Sequence, residues 1–396
     1  MIKKAFEIVA VFMIIMIFCG CEMNIDYRDN EGNESGNSFE SGDEIIVPDN
    51  KHKELFSEYY DKAQSKLSTM TLEEKVGQMF LARCPSNFDS AEKEIESLAP
   101  GGYILFADNT KTETKTSLNS KIGYAQKHSK IPLFIAVDEE GGTVTRISTY
   151  LAYRSEKFDS PLNIYKKSGL EGVIKDSTEK SNLLKNLGIN MNLAPVVDIP
   201  TTTKSYMYAR SFGTDAEKTA EFAKEIISTM NKDGMISSMK HFPGYGDNVD
   251  THTGIATDKR TKEEFESGDF LPFIAGIKAK APTIMVNHNI VNAFDKESPA
   301  SLSEEVHRVL REDLNFTGLI ITDDLAMKAV KKYVSDGNAA KKAVLAGNDM
   351  IITSSLDAHI KEVVSAVKNG EIDEEIINTA VKRILACKYS YGIIEQ

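Results

Sequence analysis

The chain has 396 residues, a formal net charge of −12, four Cys and no Trp. Its length fits two average domains or one α/β barrel. The acidic balance and the lack of a basic patch argue against nucleic-acid binding. No Cys/His spacing typical of a metal site is present, so we expect neither a metal nor a cofactor.

The first 52 residues predict a targeting segment followed by a tether. Lys3 and Lys4 precede an apolar run over residues 8–18, and Cys19-Gly20-Cys21 follows, a layout typical of a bacterial secretory signal. The small residue before Cys21 predicts a lipoprotein signal over residues 1–21, with Cys21 lipidated and anchored to the membrane outside the cytoplasm. The alternative is that the signal is cleaved in the ordinary way and the protein is secreted without a lipid. The acidic, apolar-poor composition of residues 22–52 predicts a disordered tether.

Short apolar runs recur along the rest of the chain and predict buried strands at residues 78–82, 102–106, 133–137, 190–194, 236–239, 283–286, 319–322 and 349–353. Helical spacing separates most of these runs, with predicted N-caps at Thr71, Thr214 and Ser303. Strands that alternate with helices and are apolar on both faces indicate a parallel sheet. Eight such units favour a TIM (β/α)8 barrel, so we expect a single catalytic domain over residues 53–396.

Polar residues cluster where five of the eight runs end: Asp138, Glu139 and Glu140, then Asp198, Lys240 with His241, Asn287 with His288, and Asp323 with Asp324. In a barrel these ends lie on one face, where active sites form. Polar residues follow strands in any protein, so one such strand end would mean little. Five of eight strand ends that are rich in Asp and His predict an active site at that face.

The residue types fit the cleavage of a glycosidic bond, which needs a carboxylate near the anomeric carbon and a proton donor near the leaving oxygen. His252 is the donor candidate, because an imidazole titrates near neutrality and Asp250 stands two positions before it. A solvated loop histidine and a turn-capping aspartate are the alternative interpretation of this pair. The carboxylate candidates are Asp138, Glu140, Asp198, Asp323 and Asp324.

Six segments occur in order along the chain: residues 70–79 (MTLEEKVGQM), 101–106 (GGYILF), 137–146 (VDEEGGTVTR), 193–198 (LAPVVD), 240–244 (KHFPG) and 321–327 (ITDDLAM). Together they resemble the β-N-acetylglucosaminidases, or β-N-acetylhexosaminidases, of glycoside hydrolase family 3. The resemblance implies a TIM-barrel catalytic domain and a retaining mechanism.

The resemblance also implies roles for individual residues. Asp323 would be the nucleophile, with Asp324 pointing elsewhere, and His252 would be the general acid/base with Asp250 as its partner. The positions that match those binding a terminal N-acetylglucosamine in the family are Asp138, Arg146, Arg210, Lys240 and His241. His288 lies in a similar motif at the end of a strand and is assigned to the same group.

One departure from the family lies beside the predicted acid/base residues. The family's usual Lys-His-Phe-Pro-Gly-His-Gly has Tyr245 in place of its second His, and the loop to His252 is about one residue shorter than is common. These changes put the geometry of the loop in question. The Asp250/His252 pair favours an N-acetylglucosaminidase, because the family's β-glucosidases take their acid from a glutamate in a second domain, which we do not expect here.

The sequence thus predicts an exo-acting β-N-acetylglucosaminidase that releases terminal N-acetylglucosamine from peptidoglycan fragments such as muropeptides, and a monomer. A phosphorylase acting on β-N-acetylglucosaminides and a β-glucosidase are alternatives within the family. A lipoprotein that binds amino sugars without catalysis is an alternative from another class.

Overall fold

The structure is a computed structural model that describes residues 53–86, 88–251, 254–334 and 337–395. The predicted signal with Cys21, the whole predicted tether and the predicted acid/base residue His252 lie outside the described residues. Within the described ranges, no helix is both long enough and apolar enough to cross a membrane.

Eight parallel strands form one sheet that is nearly closed into a barrel. The strands are β1 (Phe80–Arg83), β2 (Gly102–Leu105), β3 (Phe134–Val137), β4 (Met191–Asn192), β5 (Ile236–Phe242), β6 (Thr283–Val286), β7 (Leu319–Thr322) and β8 (Ile351–Thr353). They pair in the order β8-β1-β2-β3-β4-β5-β6-β7. A single parallel bridge from Ile321 to Met350, just before β8, joins the two ends. The predicted TIM barrel is confirmed, and each predicted run overlaps one of the eight strands.

Helices connect the strands and surround the barrel: α1 (Tyr60–Leu67), α2 (Leu72–Gln78), α3 (Phe88–Leu98), α4 (Ala107–Thr110), α5 (Lys115–His128), α6 (Pro161–Asn186), α7 (Ala216–Lys232), α8 (Lys262–Ser267), α9 (Phe270–Lys278), α10 (Glu304–Arg308), α11 (Lys328–Tyr333), α12 (Ala339–Ala346), α13 (Leu356–Lys368) and α14 (Glu374–Ser390). A short π-helix, Val309–Asp313, follows α10. Thr257–Asp258 and Ile290–Val291 form a small second sheet.

Two of the three predicted helix caps are confirmed. Thr71 forms a capping box with Glu74, and the Ser303 hydroxyl accepts from the backbone N–H of Val306. The predicted cap at Thr214 is wrong by one residue, because Asp215 directly precedes α7 and its carboxylate accepts from the N–H of Lys218 at 3.0 Å. Both side chains suit a cap, so composition alone does not separate them.

The strands are buried from end to end. Every strand residue of the barrel is buried except Arg83, the last residue of β1. Helices on the outside and packed side chains on the inside account for this burial, as in other barrels with parallel strands. Arg83 is exposed because β1 leaves the core there, at the carboxyl end of the strand.

Candidate active site

A cavity of about 580 Å³ opens at the carboxyl ends of the strands. That volume is typical of a site for a small molecule. Its lining includes six of the predicted site residues, Asp138, Arg146, Arg210, Lys240, His241 and Asp323. The structure therefore brings together residues that are as far as 185 positions apart in the sequence, from Asp138 to Asp323.

Charged side chains on one side of the cavity form a continuous set of contacts. Lys240 Nζ lies 2.7 Å from Asp138 Oδ1 and 2.7 Å from Glu140 Oε1. Arg210 binds the same Glu140 carboxylate in a bidentate manner, with Nε 2.9 Å from Oε2 and Nη2 2.7 Å from Oε1. We call this set, completed by two residues described next, the charge network: Asp138, Glu140, Asp198, Arg210, Lys240 and His241.

Asp198 and His241 complete the charge network. His241 Nδ1 lies 2.6 Å from Asp198 Oδ2, and His241 Nε2 lies 3.4 Å from Arg210 Nη2. A neutral imidazole that donates from Nδ1 to Asp198 leaves Nε2 as an acceptor toward Arg210. Asp198 is fully buried and does not line the cavity, so this carboxylate candidate supports His241 instead of facing the ligand.

The ionisation of the network follows from its contacts. Burial raises the pKa of Glu140, but the charges of Lys240 and Arg210 outweigh burial and hold that pKa well below its usual range. Burial lowers the pKa of Lys240, and the carboxylates of Asp138 and Glu140 outweigh it and raise that pKa. The cations Lys240 and Arg210 and the carboxylates of Asp138 and Glu140 therefore neutralise one another.

Two local features present these side chains to the cavity. The pairing of β5 with β6 shifts register between Lys240 and Phe242, so adjacent residues Lys240 and His241 both face the cavity. Buried Glu139 accepts from the backbone N–H groups of Arg146 at 2.8 Å and Ile147 at 2.8 Å. Glu139 thereby holds the loop after β3 in the shape that places Arg146 on the cavity lining.

Asp323 follows β7 and lines the cavity, with its N–H donating to the carbonyl of Val286 at 3.0 Å. Asp324 also lines the cavity, so the expectation that it points elsewhere is wrong. The alternation of side chains applies only within the strand, which ends at Thr322. Asp324 Oδ1 accepts from the N–H of Ala326 at 2.8 Å, and Oδ2 accepts from the hydroxyl of Ser354 at 3.1 Å.

His288 is fully buried and is not part of the cavity lining. Its Nδ1 lies 2.7 Å from Ser301 Oγ, and its Nε2 lies 3.0 Å from the carbonyl oxygen of Asp324. The structure thus places His288 behind the Asp323-Asp324 segment. In that position it supports the segment and does not face the space where a sugar would lie.

The predicted acid/base pair is described in part. Asp250 is half-buried and directly precedes Thr251, which lines the cavity. His252 lies outside the described residues, so its pairing with Asp250 stays a prediction.

The cavity lining also contains residues that were not predicted, among them Arg83, Tyr206 and Lys328. Arg83 ends β1, so the same rule that selected the other strand ends applies to it. Tyr206 lies between β4 and α7 in a segment without a periodic pattern, and its ring is 42% exposed. No sequence signal identified Tyr206, although an exposed aromatic ring is the kind of surface on which a sugar stacks.

In the described part of the chain, no group of three or more His, Cys, Asp or Glu side chains could hold a metal ion. Both Cys84 and Cys387 are buried free thiols. Among the described residues, the cavity lining offers carboxylates, cations, hydroxyl groups and the imidazole of His241.

A barrel of parallel strands with carboxylates and hydrogen-bond donors at the carboxyl ends of its strands is the arrangement of an enzyme acting on a polar small molecule. The family described as glycosyl hydrolase family 3 N terminal domain matches residues 71–387. The chain therefore belongs to glycosyl hydrolase family 3.

Individual relatives are similar over most of the barrel. A protein from Pseudoalteromonas piscicida named beta-hexosaminidase A is 28% identical over 319 residues, which cover 73% of this chain and 53% of that protein. A Cellulomonas fimi protein named beta-N-acetylglucosaminidase/beta-glucosidase is 27% identical over 348 residues, covering 83% of this chain and 59% of that protein. The chain thus spans little more than half the length of these relatives.

A solved structure, a glycoside hydrolase family 3 beta-N-acetylglucosaminidase from Paenibacillus sp. str. FPU-7, is similar in fold. The TM-score is 0.76 with 29% sequence identity, and the match covers 82% of this chain and 63% of that one.

Proposed function

We propose that the chain is a retaining, exo-acting β-N-acetylglucosaminidase. The observation that carries this proposal is that Asp323 lines the same cavity as Asp138, Glu140, Arg210, Lys240 and His241, at the carboxyl ends of the strands. The names of the relatives support the choice of an N-acetylhexosaminide as substrate.

The charge network suits a neutral ligand with many hydroxyl groups. The cations Lys240 and Arg210 are already paired with the carboxylates of Asp138 and Glu140, so little net charge is left to attract an ion. Paired groups still offer fixed donors and acceptors on the side that faces the cavity. The hydroxyl groups of a terminal sugar both donate and accept hydrogen bonds, so they can pair with the donors and acceptors of this lining.

In the proposed reaction, a carboxylate oxygen of Asp323 attacks the anomeric carbon while the bond to the leaving oxygen breaks. His252, oriented by Asp250, gives its proton to that oxygen. The same His252 then takes a proton from a water molecule, whose oxygen displaces Asp323 from the anomeric carbon. Two displacements at one carbon retain its β configuration, which proton NMR of the first product formed would show.

The decisive test compares Asp323→Asn with Asp324→Asn on a chromogenic N-acetyl-β-glucosaminide. Loss of the nucleophile should reduce kcat by several orders of magnitude. Asp324→Asn keeps an oxygen that accepts from Ala326 N–H, so its loss should be much smaller. Equal losses in the two variants would contradict the assignment of Asp323.

The same assay separates the alternatives. Formation of a sugar 1-phosphate in phosphate buffer would show a phosphorylase, and faster turnover of a β-glucoside would show a β-glucosidase. Binding of N-acetylglucosamine by the wild type without turnover of any of these substrates would show a sugar-binding protein.

We also propose that the natural substrates are peptidoglycan fragments and that the protein is anchored by a lipid on Cys21 outside the cytoplasmic membrane. The support is the sequence of residues 1–52, which predicts export and a tether. Release of N-acetylglucosamine from purified muropeptides, compared with release from chitin oligosaccharides, tests the substrate.

A further inference from the structure

The hydroxyl group of Tyr245 makes two hydrogen bonds to Thr251. The Tyr245 oxygen accepts from the backbone N–H of Thr251 at 2.9 Å, and it lies 2.7 Å from Thr251 Oγ1. Tyr245 is 3% exposed and Thr251 is fully buried. Burial raises the pKa of Tyr245, so its hydroxyl stays protonated, and either hydroxyl can donate in the contact with Oγ1.

Thr251 has a third contact, on the side of the nucleophile. Its carbonyl oxygen accepts from the N–H of Ala329 at 3.3 Å. Ala329 is in the first turn of α11, which begins four residues after Asp324. Every polar group of Thr251 is therefore hydrogen-bonded, two to Tyr245 and one to the segment that follows Asp323.

Tyr245 is itself held in place. Its N–H donates to Asp198 Oδ1 at 2.8 Å, and its carbonyl oxygen accepts from Asn248 N–H at 3.2 Å. Its ring meets the ring of His241 edge-on, with centroids 5.6 Å apart and planes at 71°. Tyr245 is thus fixed to the charge network at one end and to Thr251 at the other.

We propose that Tyr245 is a positioning residue for the reaction. By holding Thr251, it fixes the position of the adjacent Asp250, the predicted partner of the acid/base residue, relative to Asp323. This inference rests on the proposed function, because it assigns Tyr245 to the support of the acid/base step. Tyr245 belongs to the cavity lining, but both hydrogen bonds of its hydroxyl go to Thr251, so we infer that the hydroxyl acts through Thr251.

The test is Tyr245→Phe, which keeps the ring and removes both hydrogen bonds to Thr251. We compare kcat/KM for two N-acetyl-β-glucosaminides, one with an activated dinitrophenyl leaving group and one with an alkyl leaving group. Only the alkyl substrate needs a well-placed proton donor to leave. The expected loss is about 10- to 100-fold for the alkyl substrate and less than about threefold for the activated one.

The experiment includes one control variant and one second test variant. Tyr103→Phe is the matched control, because Tyr103 is a buried tyrosine outside the cavity lining whose hydroxyl donates to Glu94 at 3.0 Å. It should leave both substrates unaffected. Thr251→Val removes the other hydroxyl of the pair and should give the same pattern as Tyr245→Phe with a smaller loss, which keeps the test available if Tyr245→Phe does not fold.

Equal losses on both substrates, or no loss on the alkyl substrate, would overturn the inference while leaving the proposed function intact. Absence of turnover by the wild type on either substrate would overturn the proposed function and this inference with it.

Discussion

Glu140 is the residue on which the charge network depends. Its two carboxylate oxygens accept three contacts from Lys240 and Arg210, and the side chain is buried. A carboxylate with both oxygens bound to cations in this way is a poor nucleophile. Its function in the network is to hold two cations close together at the cavity.

Glu140→Gln should destabilise the protein by about 3–5 kcal/mol, because Arg210 would lose its carboxylate partner and buried Lys240 would keep only Asp138. Urea unfolding measures this loss. Glu305→Gln is the control, since Glu305 pairs with Arg308 on the exposed surface and should change stability by less than about 1 kcal/mol. A loss in Glu140→Gln no larger than in the control would show that the network does not need this charge.

The sequence predicted which residues meet at the cavity but not which way each one points. Asp138, Lys240 and Asp323 each follow a predicted strand, and all three line the cavity. Asp198 and His288 carry the same signal but lie behind the lining. Position at a strand end is a property of the local sequence, whereas orientation beyond the strand depends on contacts with distant segments.

At the scale of elements, the spacing of β2 and β3 depends on a glycine. A Cβ added at Gly102 would lie 2.2 Å from the carbonyl oxygen of Phe134. Gly102 pairs with Phe134 in the sheet, so backbone would have to move to relieve that contact. Gly123, within α5, has nothing within 4 Å of an added Cβ.

Gly102→Ala and Gly123→Ala should therefore change stability in opposite directions. We expect Gly102→Ala to destabilise by about 3 kcal/mol or more, as overpacking of a rigid site does. Gly123→Ala should stabilise by up to about 1 kcal/mol, because alanine is the better helix former. Thermal unfolding of the two variants measures both changes, and a Gly102→Ala protein as stable as wild type would show that the strands separate easily.

The positions of the elements were predictable because the strands are apolar on both faces. The extent of β5 was not, since the prediction ended at Met239 and the strand continues to Phe242. Lys240 and His241 looked like loop residues because they are polar. They are buried within the strand, and the partners that make this possible, Asp138 and Asp198, come from other parts of the chain.

At the scale of the whole molecule, a buried lysine joins the last helix to the end of α2, just before β1. Lys388 Nζ in α14 lies 2.7 Å from Gln78 Oε1, across 310 positions of sequence. Gln78 Nε2 in turn donates to the carbonyl oxygens of Ala99 at 2.8 Å and Pro100 at 3.1 Å, just before β2. No local pattern predicts this link, because both partners lie in helices with ordinary spacing.

Lys388 should make stability depend on pH. Burial lowers the pKa of Lys388 from 10.5 to about 7. Between these two values the unfolded chain binds the proton and the folded chain does not, so this group makes the folded state more stable as pH rises, by at most about 1.4 kcal/mol per pH unit. Below pH 7 its unfavourable effect is constant.

Lys388→Met should remove that slope. The free energy of unfolding of the variant relative to wild type should be highest at pH 7 and fall toward pH 10. Urea unfolding at four pH values measures the trend. Lys368→Met serves as the control, because Lys368 is 60% exposed in its pair with Glu73 and should give a difference that is flat with pH. A flat difference for Lys388→Met as well would contradict the low pKa.

Asp198 has a consequence for attempts to redesign the enzyme. One oxygen of this carboxylate serves the His241 ring, and the other accepts from the N–H of Tyr245. A segment from a relative with histidine at position 245, placed over residues 245–251, would have to keep the backbone contact to Asp198 Oδ1. The other oxygen of Asp198 orients the ring of His241, which faces the cavity. We therefore expect that the loop can be exchanged only together with the strand ends that carry Asp198 and His241.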